Sequence, residues 1–463
     1  MCILTPYIPL FFLALGLAYT RNNNVAFGLF AVSGLVLLAG PAETPLAMAR
    51  ALLEVVSTPA VASTFGLVAL YNCFVGSVEN GGAIAAMTKL AAKHAKSPVS
   101  VQLCTWLSCT VAFFSDFGST MIIGSIYQPL YDEYRVPREK LALALSLLGG
   151  PLASLFPLWI WGIYFASVLQ DTAAWQFIPG NAGGFSLMLR ALPYAFFPIL
   201  CFLCIPVTAF LGDLSLMRAA WRRTGGGTLY DLDSGGLGPL EKPSRMAEAS
   251  ETPLTYLLAV GGVVVTYLIV SGGVGVHAMT YEETVLALSA GYVTGAIILF
   301  TVPVLARKKT LTQCYDVYSL GFRRVLSVTV PITLAVLYAR IGMGTGLFAS
   351  MASLYSGLPR FVLPISAFAL ACGLSWLTGS SWGTFAVLAA PFLAVGQEYE
   401  SLIPMIVGAI VSGSLVSPVS HTVTLVSRGA WTTTEAYRAT TGQYVRLMAA
   451  ISAVLYLALS FFV

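Results

Sequence analysis

Charged side chains are scarce in this sequence. Asp, Glu, Lys and Arg together make up 10% of its 463 residues, whereas soluble globular domains contain about 25%. So few charges cannot cover a water-facing surface, which excludes a string of ordinary soluble domains. The formal net charge of +4 is also too small to indicate a nucleic-acid partner. Histidine is rarer still, with three residues that lack the spacing of metal ligands.

Apolar residues dominate the rest of the composition. They make up 57% of the chain, and its mean hydropathy is +0.82. Apolar runs of about 20 residues, the length that crosses a bilayer, recur from Ile3 to Val463. The first run has neither a basic segment before it nor a cleavage site, so we expect a retained helix. These features predict an all-α integral membrane protein that contacts the lipid bilayer, with about ten transmembrane helices plus two re-entrant hairpins.

The two halves of the sequence resemble each other on either side of a polar stretch. Three short matches keep the same order at offsets of 264, 265 and 261 residues: 82–87 with 346–351, 116–119 with 381–384, and 156–158 with 417–419. Such matches predict a duplication. We assign residues 1–212 and 253–463 to the N-terminal and C-terminal membrane repeats, and residues 213–252 to a flexible cytoplasmic linker rich in glycine and mixed charge.

The placement of basic residues predicts that the repeats are inverted. Most of the 24 Lys and Arg residues fall on one side when the linker is placed in the cytoplasm, as the positive-inside rule requires. A hairpin of residues 99–129 then enters from the cytoplasmic side and one of residues 361–395 from the outer side. Opposite-facing hairpins are typical of inverted repeats with discontinuous helices. Prolines and polar residues in 151–157 and 412–421 indicate two such interrupted helices.

Both predicted hairpins carry polar residues at their tips. Non-helical backbone at membrane depth is tolerated only where protein or a water-filled cavity surrounds it, and its oxygens can replace the water around a small cation. We therefore predict an ion or substrate site at the midplane between the tips and the last interrupted helix, formed by Ser115, Ser119, Thr120, Ser380, Ser381, Thr384, Ser414, Ser417 and Ser420. A sodium ion there would draw its ligands from Asp116, Ser381 and Thr384.

Three ionisable residues are candidates for ion or proton coupling. Asp116 lies at the first tip, where a carboxylate costs at least about 2.5 kcal/mol to insert. We interpret it as the titrating group, and the alternative is a helix-capping aspartate. Glu79 is either a second coupling acid or an interfacial acid paired with Lys89 or Lys93. His421 could switch its charge near neutral pH or remain a neutral hydrogen-bonding residue.

At these motifs the chain resembles the NhaC-type sodium/proton antiporters of the ion-transporter superfamily. The resemblance spans roughly residues 70–427, and the residues that carry it are 114–124, 129–132, 137–142, 150–157 with Trp161, 379–384 and 417–420. It implies a multi-pass secondary transporter of the bacterial inner membrane that works by alternating access. It also implies sodium as the coupling ion, exchanged against protons, with no further cofactor.

Three positions differ from that family. Ser115, Ser414 and His421 stand where its members usually have acids. A less acidic, more hydroxyl-rich site would also suit an organic anion or zwitterion. The alternative function is therefore a Na⁺- or H⁺-coupled transporter of an amino acid or small carboxylate. The cargo, whether a small ion or a small molecule, stays open, and so does assembly into a homodimer.

Two other classes of protein compete with a transporter. A channel would share the polar midplane but need no alternating conformations, and the repeated hairpins favour a transporter. An intramembrane enzyme would need a zinc motif or a nucleophile elbow. The three histidines do not have ligand spacing, so we predict that the protein is not an enzyme.

Overall fold

The computed structural model of the protein describes residues 5–20, 22–113, 118–171, 183–227, 252–273, 279–355, 359–396, 400–417 and 422–462. Within these ranges every regular element is a helix, so the predicted all-α class is confirmed. Three of the helices are short 3-10 turns: Thr5–Tyr7, Leu192–Tyr194 and Glu400–Leu402.

The α-helices fall into two series that follow one another along the chain. The first series is α1 Ile8–Thr20, α2 Asn23–Ala39, α3 Thr44–Ser57, α4 Pro59–Asn80, α5 Ala83–Ala92, α6 Pro98–Val111, α7 Gly118–Glu133, α8 Arg138–Leu147, α9 Gly150–Ser154, α10 Ile160–Asp171, α11 Gly183–Ala191, α12 Phe196–Leu211 and α13 Ser215–Gly225. The second series is α14 Pro253–Val270, α15 Tyr281–Leu305, α16 Leu311–Phe322, α17 Val325–Gly344, α18 Leu347–Tyr355, α19 Val362–Thr378, α20 Ser381–Gly396, α21 Ile403–Ser414, α22 Thr422–Ala430 and α23 Thr434–Leu459.

Some of these helices are long and apolar enough to cross a bilayer. Among the described residues there are five such segments: α4, α14, α15, α16 continued by α17, and α23. The number rises to seven if the bent pairs α2–α3 and α11–α12 each count as one span. About ten transmembrane helices were predicted, and this number stays a prediction. It counts interrupted helices, whose separate parts are each too short to cross a bilayer. The predicted linker begins with a helix, α13.

The order of elements is the same in both series. Helix α4 breaks before α5 at Gly82, and α17 breaks before α18 at Gly346. These two glycines were aligned by the sequence repeat, and both have a positive φ, +90° and +73°, which favours glycine. A helical hairpin follows each break, α6–α7 in one series and α19–α20 in the other. An interrupted helix comes next in both, α8–α9 and α21.

The two series exchange packing partners. Helix α2 packs against α17, and its counterpart α15 packs against α4. Helix α22 likewise packs against α7, while α10 packs against α20. Such reciprocal contacts are what a two-fold relation between repeats produces. The inverted direction of the repeats relative to the membrane stays a prediction.

Two pairs of helices, α6–α7 and α19–α20, overlap the predicted hairpins 99–129 and 361–395. Their helices contain 14 and 16 residues in the first hairpin and 17 and 16 in the second. At about 1.5 Å per residue each helix is shorter than the roughly 30 Å of the hydrocarbon core. The helices of each hairpin pack against each other. The turn of the second hairpin, at residues 379–380, can therefore lie inside the membrane.

Close packing of α16 on α4 supports the cavity described below. A Cβ atom on Gly321 would lie 2.1 Å from the carbonyl oxygen of Asn72. We expect Gly321→Ala to push the helices apart and to lower the free energy of unfolding by about 1–3 kcal/mol, measured by denaturant titration in detergent. Gly66→Ala is the matched control on α4, because no atom lies within 4 Å of its added Cβ. Equal stability of the two variants would contradict the close contact.

Candidate functional site

A cavity of about 620 Å³ lies between the two halves of the chain. Exposed polar side chains form its rim: Thr20, Asn22, Asn24, Arg324 and Arg438. Its lining also includes four aromatic residues, here called the cavity floor: Tyr71, Trp161, Tyr164 and Trp382, of which the first three are buried. The volume is within the range of about 300–1,000 Å³ that is typical of small-molecule sites.

The tip of the second hairpin forms part of the cavity wall. Ser380 and Ser381, two of the residues predicted for a binding site, both line the cavity. Thr384 does not line it: this residue is fully buried, and its hydroxyl donates a 2.8 Å hydrogen bond to the carbonyl oxygen of Ser380. The backbone N–H of Gly383 in turn donates to Ser380 Oγ at 3.3 Å. Thr384 therefore helps to fix the backbone of the hairpin tip without lining the cavity itself.

The last interrupted helix contributes one of its predicted residues to the cavity. Ser417 lines the wall just after α21. Ser414 is fully buried inside the protein, where its hydroxyl donates to the carbonyl oxygen of Val411 at 2.8 Å. Its own carbonyl oxygen accepts a 2.6 Å hydrogen bond from the hydroxyl of Ser375 on α19. Ser414 thus joins the interrupted helix to the second hairpin.

The first hairpin reaches the cavity through Thr120 on α7, which is 4% exposed. Its other predicted residues cannot be placed in the same way. Ser115 and Asp116, and likewise Ser420 and His421, lie outside the described residues. For Ser119 only the backbone, within α7, is described. The roles assigned to these residues stay predictions.

Glu79 lines the cavity together with a partner that the sequence did not reveal. Its carboxylate, 3% exposed in the last turn of α4, accepts a 2.5 Å hydrogen bond from Nη1 of Arg324. Arg324 lies between α16 and α17 and is 45% exposed. The two residues are 245 positions apart in the chain, so neither spacing nor local charge pattern could have indicated the pair.

The cavity floor combines aromatic rings from both halves. The ring centroid of Trp382 lies 5.4 Å from that of Trp161 and 4.5 Å from that of Tyr164. The hydroxyl of Tyr164 donates to the carbonyl oxygen of Trp382 at 2.9 Å. This hydrogen bond fixes the second hairpin against α10. The floor therefore offers a mainly apolar, aromatic surface to the same cavity that the serines of the hairpin tip line.

The tip residues 379–383 also match the pattern GxSxG, which is found at the nucleophile elbow of hydrolases. That elbow is a turn between a strand and a helix, with a histidine close to the serine. Here α19 precedes the turn and α20 follows it. No histidine is found among the described residues that line the cavity. The pentapeptide therefore forms the turn between two helices, which differs from the strand-to-helix turn of a nucleophile elbow.

A second set of ionisable groups lies at the start of α8. Arg138, Glu139 and Lys140 are consecutive and have exposures of 4%, 1% and 0%. Each has an ion-pair partner from a different segment: Asp132 of α7 for Arg138, Arg223 of α13 for Glu139, and Asp213 between α12 and α13 for Lys140. Buried charges need such partners because desolvation is costly. In the sequence, this segment is recognisable only as part of the antiporter-like motif 137–142.

Lys140 and Asp213 have the most enclosed of these contacts, with side-chain exposures of 1% and 4%. The ammonium group of Lys140 also donates to the hydroxyl of Thr208 at 2.7 Å. Asp213 accepts further hydrogen bonds from the hydroxyl of Tyr444 at 2.5 Å and from the indole N–H of Trp221 at 2.8 Å. The pair therefore connects α8, α12, α13 and α23 behind the cavity wall.

Comparison with known proteins finds that the chain is similar to others mainly in its fold. No protein-family model matches it, so the similarity to NhaC-type antiporters remains a resemblance carried by motifs. An uncharacterized protein of Haemophilus influenzae is 26% identical over 340 residues, which cover 69% of this chain and 63% of that protein. The chain thus spans somewhat less than two thirds of the length of this curated relative.

Two solved structures have a similar fold. The YdaH transporter of Alcanivorax borkumensis superimposes with a TM-score of 0.59 at 14% identity, over 95% of this chain and 98% of its own. MtrF of Neisseria gonorrhoeae, described as one of a class of antimetabolite efflux pumps, superimposes with a TM-score of 0.53 at 15% identity, over 92% and 85%. The predicted fold class, an all-α multi-pass membrane protein, is confirmed.

Proposed function

We propose that the protein is a secondary active transporter that carries a small organic solute by alternating access, coupled to Na⁺ or H⁺. The observation that carries the proposal is the cavity. It lies between two halves with the same order of helices, and its wall includes the tip of the second hairpin. A site between repeats, formed by interrupted helices, is typical of secondary transporters.

The lining of the cavity combines exposed charged residues with buried aromatic rings. Arg324 and Arg438 belong to the exposed rim, and the positive-inside rule assigns such residues to the cytoplasmic side. Trp161 and Tyr164 line the same cavity and are buried. This combination suits the inward-open state of an alternating-access cycle.

The dimensions of the cavity favour an organic solute as the cargo. A sodium ion is bound by oxygen ligands that surround it at coordination distance. A cavity of about 620 Å³ with an aromatic floor is much larger than such a site and has room for a molecule of several carbon atoms. Na⁺ or H⁺ is then the coupling ion, with Asp116 as the titrating group. Sodium/proton antiport is the second candidate function. It is favoured by the motif 379–384 at the tip of the second hairpin and by Asp116, which is predicted at the tip of the first.

Thermal unfolding of the purified protein with different ligands distinguishes these functions. Sodium, lithium and potassium at equal ionic strength are compared with amino acids and small carboxylates. A ligand that binds only the folded state at 100 times its Kd stabilises by about 2.7 kcal/mol, so we expect one class of organic solute to raise the melting temperature. Stabilisation by sodium alone would favour antiport.

Transport in proteoliposomes completes the test. The stabilising solute should accumulate against its own gradient when a Na⁺ or H⁺ gradient is imposed, and it should not when that gradient is collapsed. Flux that only runs down the solute gradient, independent of either ion, would contradict the proposal and favour a channel.

A further inference from the structure

We infer that Arg324 binds a carboxylate of the cargo, so that the transported solute is an organic anion with an apolar body. This inference rests on the proposed transport function and names the chemical class of its cargo. It starts from the charges in the cavity. The charged side chains among the described lining residues are Glu79, Arg324 and Arg438. Two cations and one anion leave this lining with a net positive charge, which attracts an anion and repels a cation.

The contact with Glu79 leaves part of the Arg324 guanidinium available. Only Nη1 donates to the Glu79 carboxylate, whereas a guanidinium has five N–H donors in a planar fork. The remaining donors belong to a side chain that is 45% exposed and lines the cavity. A fork of this kind matches the two oxygens of a carboxylate, often with two parallel hydrogen bonds.

Glu79 acts as a positioning residue for this guanidinium. Its carboxylate is almost fully buried, and it holds Nη1 from the side of α4. The segment before Arg324 is also fixed, because Gly321 of α16 packs directly on the backbone of α4 at Asn72. A donor group held in place in this way loses little conformational entropy when a ligand binds. The adjacent Arg323 is exposed and does not line the cavity.

The other surfaces of the cavity suit the uncharged part of such a molecule. The aromatic floor can stack on a flat apolar group, and the Ser380 and Ser381 hydroxyls can accept or donate hydrogen bonds. The charged group of the cargo would then be held near the rim and its apolar body against the aromatic floor. This distribution distinguishes an organic anion from a bare cation or a cationic amine.

The test uses three probes that share one ring and differ in charge: benzoate, benzamide and benzylamine. Binding to the full-length protein in detergent is measured by calorimetry. We expect wild-type protein to bind benzoate more tightly than benzamide, and benzamide more tightly than benzylamine. Because a hydrogen bond to a charged group contributes about 1.5–3 kcal/mol, Arg324→Gln should weaken benzoate binding at least about tenfold and leave benzamide binding within about twofold.

Two further variants separate binding from folding. Arg323→Gln is the matched control for the loss of one nearby positive charge, and it should keep the wild-type preference. The double variant Arg324→Gln with Glu79→Gln removes both charges of this pair, so it should fold and still lack the preference for benzoate. If Arg324→Gln alone fails to fold, this double variant gives the answer.

Equal binding of the three probes, or unchanged benzoate affinity in both Arg324 variants, would overturn the inference and leave the transporter proposal standing. Absence of binding by all three probes would overturn it as well. The transporter proposal would fail separately, if no solute or ion of the broader panel were transported against a gradient.

Discussion

Replacing Asp116 with asparagine should abolish proton-coupled transport, lowering it more than about tenfold, and leave the protein folded. The residue lies outside the described part of the chain, two positions before α7 begins, and Thr120 of the same helix lines the cavity. Asparagine keeps the size of the side chain and cannot ionise. The measurement is acidification or alkalinisation of everted membrane vesicles, followed with a pH-sensitive dye after addition of the cation or solute.

The asparagine variant also distinguishes the two interpretations of Asp116. If the residue only caps α7, asparagine should replace it with little effect, because it caps helices about as well as aspartate. Asp316→Asn is the control, since Asp316 is an exposed acid on α16 that does not line the cavity. Unchanged exchange at every pH would remove Asp116 from the mechanism and leave Glu79 and His421 as the candidate coupling groups.

Breaking the buried pair of Lys140 and Asp213 should destabilise the protein by about 3–5 kcal/mol. Lys140→Met removes the cation and leaves the Asp213 carboxylate in a site where its side chain is 4% exposed. Tyr444 and Trp221 still donate to that carboxylate, so a charge without a counter-ion remains. The free energy of unfolding is measured by denaturant titration in mixed detergent micelles.

The double variant Lys140→Met with Asp213→Asn should recover at least half of that loss. Both charges are then removed, and the asparagine carbonyl can still accept hydrogen bonds from Tyr444 and Trp221. Lys93→Met is the control for replacing an exposed lysine and should change stability by less than about 0.5 kcal/mol. If Lys140→Met were as stable as this control, the ion pair would contribute nothing to stability.

The helices of the two predicted hairpins could be recognised in the sequence because their signals are local. Apolar runs interrupted by glycine and hydroxyl residues predict paired helices with a polar turn. The structure has paired helices at 98–111 and 118–133, and at 362–378 and 381–396. The alignment of Gly82 with Gly346 was equally informative. A backbone turn with positive φ constrains one residue by its own geometry, and both positions have that geometry.

The partners of polar side chains were not predictable in the same way. Thr384 and Ser381 belong to the same hairpin tip, yet only Ser381 lines the cavity. Ser414 was expected at the site and instead holds α21 to α19. In each case the direction of the side chain depends on how a neighbouring helix packs.

By itself the sequence determined that this chain crosses a membrane as α-helices, and it predicted two related halves, each with a helical hairpin. These properties follow from hydropathy and backbone preferences over short stretches of chain. Only the tertiary structure decided that Glu79 faces Arg324 and that Lys140 is buried against Asp213. Each of these contacts joins residues that are far apart in the chain, and a buried charge selects its partner from whatever the packing of distant helices brings within hydrogen-bonding distance.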